Sequence, residues 1–188
     1  MVIVYSSTIE FYEAEAYEFP SNYKIMATAE YWIEKLDLTA HPEGGYFSEI
    51  YRSDDVIKKS GLPMRYPEDR SMATLIYYLL KDDNVSAFHR LRSDELWIHV
   101  DGGTLDIHQI GKDGSYTCDQ LDKDIGAPVC VIKHGAWFGA SLTDTESFCL
   151  CTCMVTPGFD FADFEMADPG QLKKICPAQS DIIDRLSR

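Results

Sequence analysis

Four side chains within SAFHRLRSDELWIHVDGG, Ser86 to Gly103, are of types that do chemistry together: His89, Glu95, Trp97 and His99. Imidazole and carboxylate exchange protons near neutral pH, and an indole offers a flat face to a sugar or a base. In a strand the period of two places Glu95, Trp97 and His99 on one face, with Leu96, Ile98 and Val100 on the other. A buried row of carboxylate, indole and imidazole must line something that satisfies it, because unpaired buried polar groups are costly. A ligand pocket is the ordinary solution. Arg92-Ser93-Asp94 reads as a tight turn, which predicts a hairpin that brings His89 beside Glu95 as an acid–base pair. The competing role for that pair is a structural hydrogen bond closing the mouth of the fold.

Further candidates lie outside this stretch. Tyr46 to Arg52 reads as a strand with Phe47, Glu49 and Tyr51 on one face, and Arg52 at its end. Tyr51, or Tyr77, is a candidate proton donor. Arg52 and Lys133 suit a phosphate or carboxylate. Trp137 and Phe138 offer a wall facing Trp97. Arg90 and Arg92 point away from His89 by parity and read as surface charges. Asp160 and Glu165, set among Phe159, Phe161 and Phe164, read as capping or orienting groups.

The elements that must position these groups are mostly strands. Thr28 to Leu38 has the spacing of a short docked helix, and HPEGG at residues 41–45 is a turn cluster. Residues 53–70 read as a long loop, locally basic through Lys58, Lys59 and Arg65, of a length that often serves as a lid or binding loop. From residue 71 short strands follow one another, separated by turn signals, which indicates an antiparallel sandwich or barrel. Two short helices close the chain after Pro169 and Pro177. Residues 1–27 carry a short apolar run and an acidic, aromatic stretch, and read as an extension lying on the body or on a second copy.

The bulk properties bound the function. The 188 residues, 45% hydrophobic, make one domain with a core of its own. A net charge of −14 repels phosphate backbones and anionic membranes, so neither nucleic acid nor membrane is an expected partner. The N-terminus lacks the basic start and apolar core of a signal peptide, and no apolar run reaches a membrane span; a cytoplasmic location is the expectation. The six cysteines contain no Cys-x-x-Cys pair. Cys149, Cys151 and Cys153 alternate along one strand, as small packed core residues do.

HPEGGYFSEIYRS, SAFHRLRSDELWIHVDGG and TPGFDFADFE, in that order, resemble an uncharacterised single-domain cupin family of the RmlC-like superfamily. The resemblance runs from about residue 28 to 177 and leaves 178–188 as a helical tail. It implies an all-β fold with peripheral helices, the double-stranded β-helix or jelly roll, dimeric, with a ligand pocket at the barrel mouth. The first cupin motif, His-x-His, three or four residues, Glu, six residues, Gly, falls on His89, Leu91, Glu95 and Gly102. The second, Pro-x-Gly, two residues, His, falls on Lys133-His134-Gly135 and Phe138. Leucine and phenylalanine donate nothing to a metal, and His99 stands about 7 Å from Glu95 at roughly 3.3 Å per residue. No cofactor or metal is therefore expected, and metal-dependent oxygenase chemistry finds no support. Three functions stay open: metal-free binding of a nucleotide or nucleotide-sugar; a sugar-nucleotide isomerase or epimerase with His89 as base; and a non-catalytic storage or scaffold dimer.

Overall fold

A computed structural model describes residues 27–187, so the apolar run and acidic stretch near the N-terminus lie outside the described residues. Helix α1 (Ala29–Lys35) starts where Thr28 accepts a hydrogen bond from the Tyr31 N–H, as N-cap residues do. Thirteen strands follow among the described residues: β1 (Thr39–Ala40), β2 (Tyr46–Arg52), β3 (Val56–Ile57), β4 (Arg70–Ser71), β5 (Thr74–Lys81), β6 (Val85–Arg90), β7 (Asp94–Gly102), β8 (Leu105–Ile110), β9 (Tyr116–Leu121), β10 (Val129–Ile132), β11 (Trp137–Leu142), β12 (Phe148–Thr156) and β13 (Glu165–Met166). Helices α2 (Pro169–Ile175) and α3 (Ser180–Arg185) close the chain.

The strands form a six-stranded sheet, β1-β2-β5-β12-β7-β10, and a five-stranded sheet, β13-β6-β11-β8-β9, with β3-β4 as a separate ribbon. All named pairings are antiparallel. From β5 to β8 the chain changes sheet at every connection, the winding of a jelly roll. The core lies between the sheets. Tyr78, Leu80, Trp97, Cys149, Cys151 and Cys153 come from one side, and Leu105, Ile107, Phe138 and Ala140 from the other. The cysteine ladder is packed hydrocarbon-like core.

This winding corrects the expected hairpin. β6 and β7 are not neighbours; the connection through Leu91, Arg92 and Ser93 carries the chain from one sheet to the other. His89 and Glu95 line one cavity because each points inward from an opposed sheet, not because their strands pair. The predicted alternation on β7 holds: Glu95, Trp97 and His99 are buried, while Leu96 and Ile98 are half-exposed and Val100 is exposed.

A second correction concerns β2. Its register against β5 slips between Glu49 and Tyr51, pairing Glu49 with Ile76 but Tyr51 with Leu75. Ile50 is the extra residue of a β-bulge, and beyond it the faces swap. Arg52 thereby turns inward, while Tyr51 turns outward and is 52% exposed. Helices α2 and α3 cover the outer face of the five-stranded sheet, where Leu172, Ile183 and Leu186 pack on Phe88, Ile110 and Trp137.

Candidate functional site

Between the sheets, at the end where β2, β5, β6 and β12 meet the segment 159–164, lies a cavity of about 350 Å³. Its floor is polar. Glu95 enters from β7, His89 from β6, and Glu43 from the turn before β2. Phe47, Ile76, Leu91 and Val155 make the walls, and Phe159, Phe161 and Phe164 stand at the mouth with Glu49, Arg52 and Asp160.

Glu43 is placed by its neighbours in HPEGG. Gly44 and Gly45 both take positive φ, 121° and 67°, which glycine adopts without steric cost. A Cβ at Gly45 would lie 2.6 Å from Leu80 Cδ2 and 2.7 Å from the Leu79 carbonyl. The Tyr78 hydroxyl donates to the Gly44 carbonyl at 2.8 Å. So held, the Glu43 carboxylate accepts from Ser86 Oγ at 2.8 Å and meets His89 Nε2 at 3.0 Å. His41 Nδ1 accepts the Glu43 N–H at 3.3 Å.

The other His89 nitrogen, Nδ1, faces the Ala87 carbonyl at 2.8 Å. Both ring nitrogens thus face oxygen acceptors. Glu95 is fully buried. Its Oε1 accepts from Trp97 Nε1 at 3.0 Å, and its Oε2 has no hydrogen-bond partner among the described residues. Burial, and then the charge of Glu43, push its carboxyl well above the ordinary range, which favours its protonated form. The floor accordingly carries a hydrogen-bonded imidazole–carboxylate pair and a second carboxyl group, groups able to exchange protons with a guest.

The expected site residues divide. His89, Glu95, Glu49 and Arg52 line the cavity. Arg52 forks onto Glu49 at 2.9 and 2.7 Å and reaches the Phe159 carbonyl at 3.0 Å. Tyr51 does not line it, because of the bulge, and Tyr77 on β5 shares the outward parity of Leu75. Trp97 is 1% exposed, packed edge-on against Tyr78 and Phe138; it is core, and its contribution is the indole N–H held by Glu95. His99 lies two rungs deeper, with Nε2 facing the Gly103 carbonyl at 3.1 Å. Lys133 is on the surface, paired with Asp94 at 2.9 Å.

Trp137 and Phe138, being adjacent in a strand, face opposite ways. Trp137 packs under the C-terminal helices, and Phe138 lays its ring on His89 at 4.0 Å between centroids. Glu43 and His41, read from sequence only as part of a turn, are the residues that reading missed. The signal was two ionisable side chains flanking a proline just ahead of paired glycines.

The donor set does not fit a metal. Of the four positions where a cupin ligand would stand, Leu91 contributes hydrocarbon to the cavity wall and Phe138 an aromatic ring. Among the described residues no group of three or more His, Cys, Asp or Glu side chains is placed to hold an ion.

Residues 30–167 match the family model described as Cupin superfamily (DUF985). An uncharacterised protein of Saccharomyces cerevisiae is 29% identical over 144 residues, 70% of this chain and 71% of the yeast protein. The crystal structure of a Shewanella oneidensis protein superposes with a TM-score of 0.77 at 34% identity, covering 87% of this chain and 99% of that one. A hypothetical protein from Leishmania major gives 0.76 at 32% identity, covering 85% and 98%. A cupin 2 domain-containing protein from Halorhodospira halophila shares the fold at a TM-score of 0.50 and 14% identity, covering 80% and 87%.

Proposed function

The chain belongs to the DUF985 family of the cupin superfamily, and on that premise we propose that its cavity binds a small hydroxylated or heterocyclic molecule, a nucleoside or sugar moiety of a nucleotide or nucleotide-sugar, without a metal. The observation that carries this reading is Glu95, which lines the 350 Å³ cavity and whose buried Oε2 has no hydrogen-bond partner among the described residues. A buried polar atom without a partner is costly, and a ligand hydroxyl or ring nitrogen meets that need. Aromatic rings at the mouth suit stacking on a flat or ring-shaped guest.

Thermal unfolding against a panel of nucleosides, sugars, nucleotides and nucleotide-sugars at millimolar concentration tests it. A binder present at about a hundred times its dissociation constant stabilises the native state by about 2.7 kcal/mol, a shift of several degrees. Glu95→Ala is expected to remove the shift. A panel that moves nothing would leave the storage or scaffold reading in its place.

Isomerase or epimerase chemistry is the second reading, favoured by the facing of the His89–Glu43 pair and Glu95. The pair would take a proton from carbon and Glu95 would return one, which moves the acid's role from Tyr51 to Glu95. Solvent deuterium should then enter the bound sugar, and His89→Ala should stop it.

The homodimer belongs to the same proposal. Leu96, Ile98, Val100, Val129 and Val131 form an uncharged strip on the outer face of the six-stranded sheet. The strip runs to β10 at the sheet's edge, where Val129 and Val131 are 43% and 44% exposed. An apolar edge of this kind fits a second copy across a twofold axis.

A further inference from the structure

Leu91 and Phe164 line the cup from one side and, from the other, a second cavity of about 370 Å³. The second cavity is of opposite character. Arg65, Arg90, Arg92 and Lys112 face into it, together with Asp163 and Glu165. In a chain of net charge −14 this is a local concentration of cations.

The acidic groups there are already engaged. Glu165 Oε2 accepts from Arg90 Nε and Nη2 at 2.9 and 2.7 Å. Asp163 is held from behind by the buried Arg70, at 2.6 and 2.7 Å, and Arg92 Nε reaches it only at 3.5 Å. Arg65 and Arg92 tie their loops together through backbone carbonyls: Arg65 Nε donates to Arg92 O at 2.7 Å, and Arg92 Nη1 donates to Arg65 O. These contacts fix both side chains while leaving the Arg65 guanidinium without a carboxylate partner among the described residues. Lys112 is likewise without one, and it lies against Gly135, where an added Cβ would come within 2.9 Å of Lys112 Cε. Gly135 also takes φ of 77° and donates its N–H to the Leu91 carbonyl at 2.8 Å, so the turn that seats the lysine is tied to the shared wall.

The cup itself is a poor host for an anion. Glu43, Glu49, Glu95 and Asp160 line it, and Arg52, the one arginine lining it among the described residues, is committed to Glu49. Charge is therefore sorted across Leu91 and Phe164, with proton-exchanging acids on one side and cations on the other. We propose that the basic cleft is an anion subsite holding the phosphate or diphosphate of the same guest whose uncharged part occupies the cup. This rests on the cup reading above and deepens it by giving the phosphate of that ligand its own site. Guanidinium forks and an ammonium on fixed loops are the groups that recognise phosphate oxygens.

The test uses the full chain and inorganic pyrophosphate, followed by calorimetry at low and physiological ionic strength. Saturable binding that weakens with salt is expected. The double variant Arg65→Ala/Lys112→Ala should lose about tenfold in affinity or more, the effect of losing one charge-assisted contact. Lys59→Ala/Lys174→Ala, which removes the same charge from exposed sites elsewhere, should leave affinity within about twofold. No binding, or equal loss in the two double variants, overturns the cleft assignment while leaving the cup to be judged by uncharged ligands alone. A phosphorylated ligand should bind more tightly than both its uncharged form and pyrophosphate. If it binds no more tightly than the uncharged form, the single-guest proposal fails. Pyrophosphate binding with no uncharged ligand moving the melting point sinks the cup reading and the shared guest with it.

Discussion

At the scale of single residues, Glu95 decides the character of the cup. Its carboxyl is raised by burial first and by Glu43 second, so its linkage to stability has a definite sign. Below its ordinary value of 4.5 both folded and unfolded chains hold the proton, and the residue's contribution is fully present. As pH rises toward the folded value, the unfolded chain releases the proton first and stability is lost. A glutamine at this position would not titrate and would keep an acceptor for the Trp97 indole. Glu95→Gln should therefore match the parent near pH 4.5 and exceed it by roughly 1–3 kcal/mol near pH 8, read as a widening gap in melting temperature. A gap that stays flat with pH would show that Glu95 is ionised in the fold. Sequence alone placed Glu95 on the inward face, since period-two alternation is local. It could not give the acid its partner, because Glu43 is fifty-two positions away in the chain.

At the scale of elements, two local irregularities place the site. The bulge at Ile50 turns Arg52 in and Tyr51 out, and nothing in YFSEIYR signals it, because a bulge is set by the pairing of β2 with β5. The glycine turn ahead of β2 was legible as a turn but not as the mount for Glu43. Gly45→Ala should cost about 2 kcal/mol or more, from positive φ together with contacts at 2.6 and 2.7 Å. Gly61→Ala, whose new methyl would meet Ile57 at an ordinary 3.7 Å, should stay within about 0.5 kcal/mol of the parent. Chemical denaturation compares the two, and a mild effect at Gly45 would mean the turn relaxes without loss. Asp94 anchors another element. Burial works against its charge, but the His134 backbone N–H and the Lys133 and His134 side chains outweigh it and pull the carboxyl to about 2. The stability it supplies is present above its ordinary 3.8 and is lost as pH falls toward about 2. Asp94→Asn should cost about 1 kcal/mol at pH 7, given its partial exposure, and nothing near pH 2.

For the whole molecule, a charge of −14 sets up long-range repulsion between copies, and the uncharged strip ending at β10 opposes it. Self-association should therefore strengthen as salt rises from about 10 to 150 mM, because screening removes the repulsion faster than it weakens apolar contact. Sedimentation equilibrium at micromolar concentration is expected to show a dimer at physiological salt, and Val131→Lys should shift it to monomer. A monomer at every salt and concentration would remove the homodimer from the proposal. No helix among the described residues is long and apolar enough to cross a membrane.

Alternation, turn residues and caps act over a few positions, so the sequence by itself determined an antiparallel all-β sandwich or barrel, its short helices, and the inward faces of β6 and β7 that carry His89 and Glu95; the jelly-roll winding came only from the family resemblance. Tertiary structure alone decided which sheet each strand joins, and hence that His89 meets Glu43, that Trp97 is sealed into the core, and that Arg65 meets Arg92. Those outcomes depend on pairings between distant segments, on a register slip no neighbour announces, and on burial that becomes real only when two sheets close over the same side chains.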